Sequence, residues 1–245
     1  MDLLIISLAD RPDILSRLDD FPGAWPEFMY HDSVSSVFYH QVVTLHPEHC
    51  LIALDGGTPV ARAFSFPFHW VEDPEKILPD GHDAVIVRAL GDRLARRSGT
   101  LVAAVEVTVR ADRRGNGLST RMLDALRERT ARLGYPGLVV PVRPSGKSEH
   151  PDVPLADYVN WTRPDGLPVD PWLRVHIRAG GRMVGLAPHS TTIAGTLDEW
   201  RCWTGLPFDR TGPVRVPGAL VPVHCDVQHG IGVYVEPNVW VHHRV

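Results

Sequence analysis

At 245 residues, with 44% hydrophobic and 22% charged content, the chain has the composition of an ordinary folded protein and the length for one large core. No apolar stretch reaches the ~20 residues of a membrane span, and a net charge of −4 argues against nonspecific nucleic-acid binding. Neither a membrane nor a nucleic-acid partner is expected. Cys50, Cys202 and Cys225 are far apart, odd in number and without paired spacing, which fits a reducing cytoplasm. The apolar run Met1 to Leu8 is short and acidic where a secretion signal is basic.

In chain order, Pro12 to Leu18 reads as the first turns of an amphipathic helix, because proline is tolerated at the first helical position. A second helical segment is predicted from Ser33 to Thr44. Cys50–Leu54 and Pro59–Phe64 flank Asp55-Gly56-Gly57, a turn whose glycines accept positive φ, and form a β-hairpin. Asp83 to Arg97 is helical, with Val85, Val87, Leu90 and Leu94 near helical spacing and Ser98-Gly99 as its stop. Leu101–Val109 is an apolar, β-branched run typical of a buried strand.

That strand leads into Arg114-Gly115-Asn116-Gly117-Leu118-Ser119 and then an amphipathic helix, Thr120 to Arg129, capped by Ser119 and ended by Gly134. Leu138–Val142 supplies the next strand, parallel to the previous one by the right-handed crossover rule. The sheet is therefore mixed, in an α/β (α+β) fold with flanking helices. From Pro144 to Pro171 the chain is too proline-dense for regular structure and reads as an ordered excursion. Pro171 to Arg178 is a helix ending at Gly180-Gly181, with a strand to follow. Thr196 to Glu199 is a capping box, and Ala219–Cys225 and Val233–Val241 are β-rich. Without repeats or a long linker, residues 1–245 are expected to form one domain with a C-terminal β-rich extension.

A turn that carries successive N–H groups into a helix N-terminus is an anion site, and glycine lets phosphate approach the backbone. Arg113 and Arg114 add positive charge beside it. Strand, glycine loop and helix together resemble motif A of the GNAT superfamily (GCN5-related N-acetyltransferases), Arg/Gln-x-x-Gly-x-Gly/Ala. Here Arg114, Gly117 and Ser119 take the defining places, Ser119 being the departure. The resemblance spans roughly residues 30 to 190. It implies splayed strands at Val105–Val109 and Leu138–Val142 with the pantetheine arm of an acyl-CoA, such as acetyl-CoA, between them. It also implies backbone contacts at Val107 and Val109, and amides from Gly115 to Ser119 around the pyrophosphate.

The resemblance aligns His176-Ile177-Arg178-Ala179-Gly180 with the family's Tyr-x-x-x-Gly segment, whose tyrosine protonates the departing thiolate. His176 is either such a general acid or a core histidine bonded to a carbonyl. Ser145 is its candidate hydroxyl partner, or a strand-end serine bonding local backbone. Glu106 is either the base for an amine nucleophile or a salt-bridged strand carboxylate. Trp25, Trp161 and Arg163 are candidate substrate contacts, although tryptophan mostly contributes burial and Arg163 with Asp165 can simply brace a loop. His40, His46, His242 and His243 lack a recognised ligand spacing, so no metal is predicted. The acceptor is a small-molecule or protein amine, or an acyl carrier protein if the chain resembles the GNAT-like branch that decarboxylates malonyl-CoA. A silent coenzyme A sensor is the alternative from another class.

Overall fold

The hairpin read at Asp55-Gly56-Gly57 sits near one edge of a nine-stranded mixed sheet. In the computed structural model, which describes residues 3–17, 21, 25–74, 76 and 80–245, the strands are β1 (Leu3–Ser7), β2 (Cys50–Asp55), β3 (Thr58–Phe68), β4 (Leu101–Val109), β5 (Gly137–Val142), β6 (Arg182–Thr196), β7 (Gly212–Val214), β8 (Val223–Asp226) and β9 (Ile231–Arg244). Their order is β1-β2-β3-β4-β5-β9-β8-β7, with β6 also on β9. β4 and β5 run parallel, and every other pairing is antiparallel. Leu3–Ser7 of the N-terminal apolar run is thus an edge strand paired to β2, and Met1 and Asp2 lie outside the described residues.

Among the described residues six α-helices accompany the sheet: α1 (His40–Leu45), α2 (His82–Leu94), α3 (Leu118–Arg132), α4 (Leu155–Tyr158), α5 (Pro171–Arg178) and α6 (Leu197–Thr204). Met122, Leu123 and Leu126 of α3 and Leu173 of α5 share a core with Val102, Ala104, Leu138 and Val140. Val42 and Val43 of α1 and Ile86 and Ala89 of α2 join Ile52, Leu54, Phe64 and Phe66 in another. A third core around Trp200, Tyr234 and Phe28 holds the C-terminal strands to α6.

Several expectations need correction. Pro12–Arg17 is a 3-10 helix, and the helix expected from Ser33 contains a π-helical turn at Ser35–Tyr39 before α1. In α2 the buried face is Val85, Ile86 and Ala89, and Leu94 is 76% exposed, so the apolar spacing misplaced the face by one residue. Ser119 does not cap α3: Gly117, at φ 73°, is the N-cap and no side-chain cap bond forms. The proline-dense excursion does hold regular structure, because Pro154 immediately precedes the single turn of α4, where its missing N–H costs nothing. The Thr196–Glu199 capping box forms with both reciprocal hydrogen bonds.

Candidate active site

The parallel pair β4 and β5 is joined only at Val102↔Leu138 and Ala103↔Val139. A bulge in the β3–β4 register between Phe64 and Ser65 leaves Val105 unopposed and bends β4. Pro141, with no N–H to donate, lies in the parted stretch of β5. The gap opens a cleft of about 630 Å³ running from Ala104–Val109 and Val140–Val142 to Arg114, Gly115, Leu118 and Ser119.

At the loop end, Gly115 and Gly117 have φ of 81° and 73°, so the left-handed backbone itself requires glycine there. The first intrahelical bond of α3 is Arg121 N–H to Gly117 C=O, 3.2 Å. The amides of Leu118, Ser119 and Thr120 therefore precede the helical ladder and open toward an anion. The Arg114 Nε–H donates to the Val109 carbonyl, 3.3 Å, which ties the loop back to the end of β4.

A second cavity, about 440 Å³, meets this cleft at Trp25, Val105, Glu106, Pro141 and Arg143, which line both. Its walls carry two buried ion pairs. Glu106 accepts from Arg62 Nε–H at 2.6 Å, from the Thr108 hydroxyl at 2.6 Å and from the Tyr39 hydroxyl. Burial, and then the Glu106 charge, push the Tyr39 hydroxyl well above its ordinary pKa and hold it protonated. Glu236 accepts from Arg143 Nε–H at 2.9 Å, the Tyr234 hydroxyl at 2.7 Å and the Asn238 amide at 3.2 Å. Burial alone would lower Arg143, but Glu236 and Tyr234 outweigh it and raise the guanidinium pKa. The Arg143 guanidinium also lies 5.7 Å from the centroid of the Trp25 ring.

Farther in, Asp32, His82 and Asp83 bring one ligand atom each within 4.8 Å of one another. Asp32 is buried and accepts from the amides of Val34 and Ser35 at 3.1 and 2.9 Å. His82 and Asp83 open α2, which is pinned to β6: the His82 N–H donates to Ser190 Oγ at 2.8 Å and the Thr192 N–H to Asp83 at 3.0 Å. Gly81 is needed here, since a Cβ would lie 2.0 Å from Ser190 Oγ.

No family model matches the chain. In sequence it is similar to the arginine N-acetyltransferase avaD of Aspergillus versicolor, 35% identical over 270 aligned residues that cover 97% of this chain and 92% of that protein. Its fold is similar to the loading GNATL domain of CurA from Lyngbya majuscula, with a TM-score of 0.61 at 16% identity, covering 99% of this chain and 96% of that one. It is also similar to the GphF GNAT-like decarboxylase in complex with isobutyryl-CoA, with a TM-score of 0.56 at 17% identity over 100% of this chain and 99% of that one. The chain belongs to the GNAT superfamily.

This GNAT protein is an acyl-CoA-dependent acyltransferase. Of the residues singled out in its sequence, the structure brings Val107, Val109, Arg114, Gly115, Leu118, Ser119, Glu106, Ser145 and Trp25 to the cleft. Asn116 instead faces a small hollow beside Leu3, Asp55 and Arg121, and Gly117 contributes its backbone turn. Trp161 packs against Tyr158 and His150, and Arg163 pairs with Asp165, outside both cavities.

His176 is the main departure. Its ring is 0% exposed, packs on Trp172 and meets His243, Nδ1 to Nε2, at 2.9 Å, and it lines neither cavity. Trp172 and Val175 face the cleft from α5, which turns position 176 inward toward β9. Burial first, and His243 second, hold His176 neutral. Sequence reasoning missed Tyr39, Asp32, Arg62, His82, Arg143 and Glu236. The available signal was charge inside apolar strands, as in Val60-Ala61-Arg62-Ala63-Phe64 and Tyr234-Val235-Glu236.

Proposed function

We propose that this GNAT enzyme transfers an acetyl group from acetyl-CoA to a nitrogen of a small basic metabolite of the arginine type. The observation that carries the reading is the second cavity. It meets the cleft beside Glu106 and is lined by three carboxylates, Asp32, Glu106 and Glu236, against two guanidinium groups, Arg62 and Arg143. An acid surplus in a partly enclosed cavity favours a cation over a neutral or anionic acceptor. The 35% identical relative bears the name arginine N-acetyltransferase.

In this reading the coenzyme A pyrophosphate rests on the Gly115–Ser119 turn and the start of α3, with the Arg113 and Arg114 charges beside it. The pantetheine arm lies in the β4–β5 gap, which presents backbone that neither strand uses for pairing. The acceptor enters from the acidic side, so that the two substrates meet at Glu106, Val105 and Trp25. Direct attack on the thioester then needs no acyl-enzyme, and holding both reactants in register supplies much of the rate. Unpaired cysteines, two of them buried, fit a cytoplasmic setting.

The decarboxylating alternative needs an imidazole beside a hydroxyl at the thioester. Ser145 lines the cleft, but His176 does not. Mass spectrometry separates the readings. Incubation with acetyl-CoA and arginine should give one acetylated product per free coenzyme A. Acetyl-CoA formed from malonyl-CoA without an amine would favour the decarboxylase, and coenzyme A binding with no turnover of any amine would favour a sensor.

A further inference from the structure

Glu106, the carboxylate that the resemblance offers as base, is already occupied by Arg62, Thr108 and Tyr39, and His176 is sealed in the core. A nitrogen acceptor that arrives as a cation must nevertheless lose a proton before its lone pair can attack. We propose that His82, held by Asp83, is the catalytic base that takes this proton in the second cavity. The proposal rests on the acetyltransferase reading above.

Three features of the cavity support it. First, His82 lines the same cavity as Glu106 and Arg143, which border the cleft. Second, its Nδ1 lies 3.1 Å from Asp83 Oδ1, while its Nε2 has no hydrogen-bond partner among the described residues and is left for an incoming nitrogen. Third, the dyad is rigid: Ser190 Oγ accepts the His82 amide and itself donates to Asn238, and the Thr192 amide holds the other oxygen of Asp83. A carboxylate on Nδ1 fixes the tautomer that exposes a basic Nε2 and stabilises the imidazolium formed on protonation.

The charges around His82 come from every side. Asp83 is on its own helix, Asp32 on the segment entering the π-helical turn, Glu236 on β9, Glu106 on β4, Arg62 on β3 and Arg143 at the end of β5, with Tyr39 and His40 from α1 and the turn before it. Burial and the N-terminal end of α2 disfavour the imidazolium. The hydrogen bond and charge of Asp83, with Asp32 and Glu236, outweigh the burial and raise His82 above its ordinary value.

In the step itself, an N–H bond of the cationic acceptor breaks and its proton goes to His82 Nε2. The freed lone pair forms the N–C bond to the thioester carbon, and the C–S pair leaves on the coenzyme sulfur. The second nitrogen proton passes to that thiolate, and His82 returns its proton to solvent. The balance is one acetylated acceptor, one coenzyme A thiol and one released proton.

The test is the pH profile of kcat/KM with acetyl-CoA and arginine for the full chain, its His82→Gln and Asp83→Asn variants, and His82→Ala with added imidazole. We expect His82→Gln to lose about 10²-fold or more in kcat at unchanged acetyl-CoA Kd, and its acid limb to vanish. Asp83→Asn should move that limb to lower pH, and imidazole should restore part of the His82→Ala rate. Unchanged acetyl-CoA Kd also reports that the variants are folded. A His82→Gln enzyme with the original rate and limb overturns the base assignment alone. So does activity lost to a chelator and restored by Zn²⁺ or Mn²⁺, which would make Asp32, His82 and Asp83 a metal site. Absence of amine-dependent turnover in the unaltered chain overturns the acetyltransferase reading and the base with it.

Discussion

The coenzyme half of the proposed site comes from one contiguous run, Leu101 to Val142, while the acceptor half draws Asp32, Arg62, His82, Glu106, Arg143 and Glu236 from separate segments. In the first half recognition is by backbone: positive-φ glycines, unpaired amides and two strands that part. In the second it is by buried charge, and each charge is held by partners remote in sequence. A backbone site depends on local conformation and tolerates many side chains, whereas a charge site fails when one partner is removed.

The contrast can be broken from either side. The largest effect is expected at Glu106→Ala, which leaves Arg62 buried without its carboxylate and Tyr39 and Thr108 without their acceptor. The cost should be about 3–5 kcal/mol of stability in urea denaturation. A loss below about 1 kcal/mol would mean that the pair is effectively solvated.

Gly117→Val comes next. A valine at φ 73° strains the turn by about 1–3 kcal/mol, so acetyl-CoA affinity should fall roughly 5- to 100-fold by calorimetry with the fold retained. Affinity within twofold of the original would remove the loop from the coenzyme site.

The glycine loop was legible because one strand, one turn and one helix are contiguous and each carries its own pattern. The acceptor half was not, because Arg62, Glu236 and Asp32 are isolated charges until the sheet is assembled. His176 illustrates the opposite error. Its place in a helix four residues before a glycine was read correctly, but helical phase, not spacing to Gly180, decides which face meets the cleft, and Trp172 and Val175 take that face. Pro141 was a legible signal left unused, since a proline inside a buried strand marks a ladder that is interrupted.

Smaller effects sharpen the picture of the core histidines. Burial first lowers His49 to about 4, and lowers His176 and His243 in the same direction. These folded-state values lie below the unfolded imidazole's 6.5, so the unfolded chain binds more protons as pH falls. The contribution of these three imidazoles should therefore be steady above pH 6.5 and be lost below it, by up to about 1.4 kcal/mol per pH unit for each. His176→Leu should flatten that slope while leaving turnover per folded molecule within about twofold, since the residue lines neither cavity. A collapse of kcat with the fold intact would return His176 to the chemistry. The smallest effect belongs to Trp161→Ala with Arg163→Ala, whose surface positions predict about 0.5 kcal/mol or less on acceptor KM.

The comparison between the halves stands on the acidic cavity reading a cation. The direct measurement is kcat/KM for arginine against citrulline, which keeps the shape of the side chain and removes its charge, at saturating acetyl-CoA. A preference of about 10²-fold or more for arginine is predicted, because citrulline carries no charge to meet Asp32, the cavity carboxylate in excess of the two ion pairs. Equal rates for the two would contradict the account.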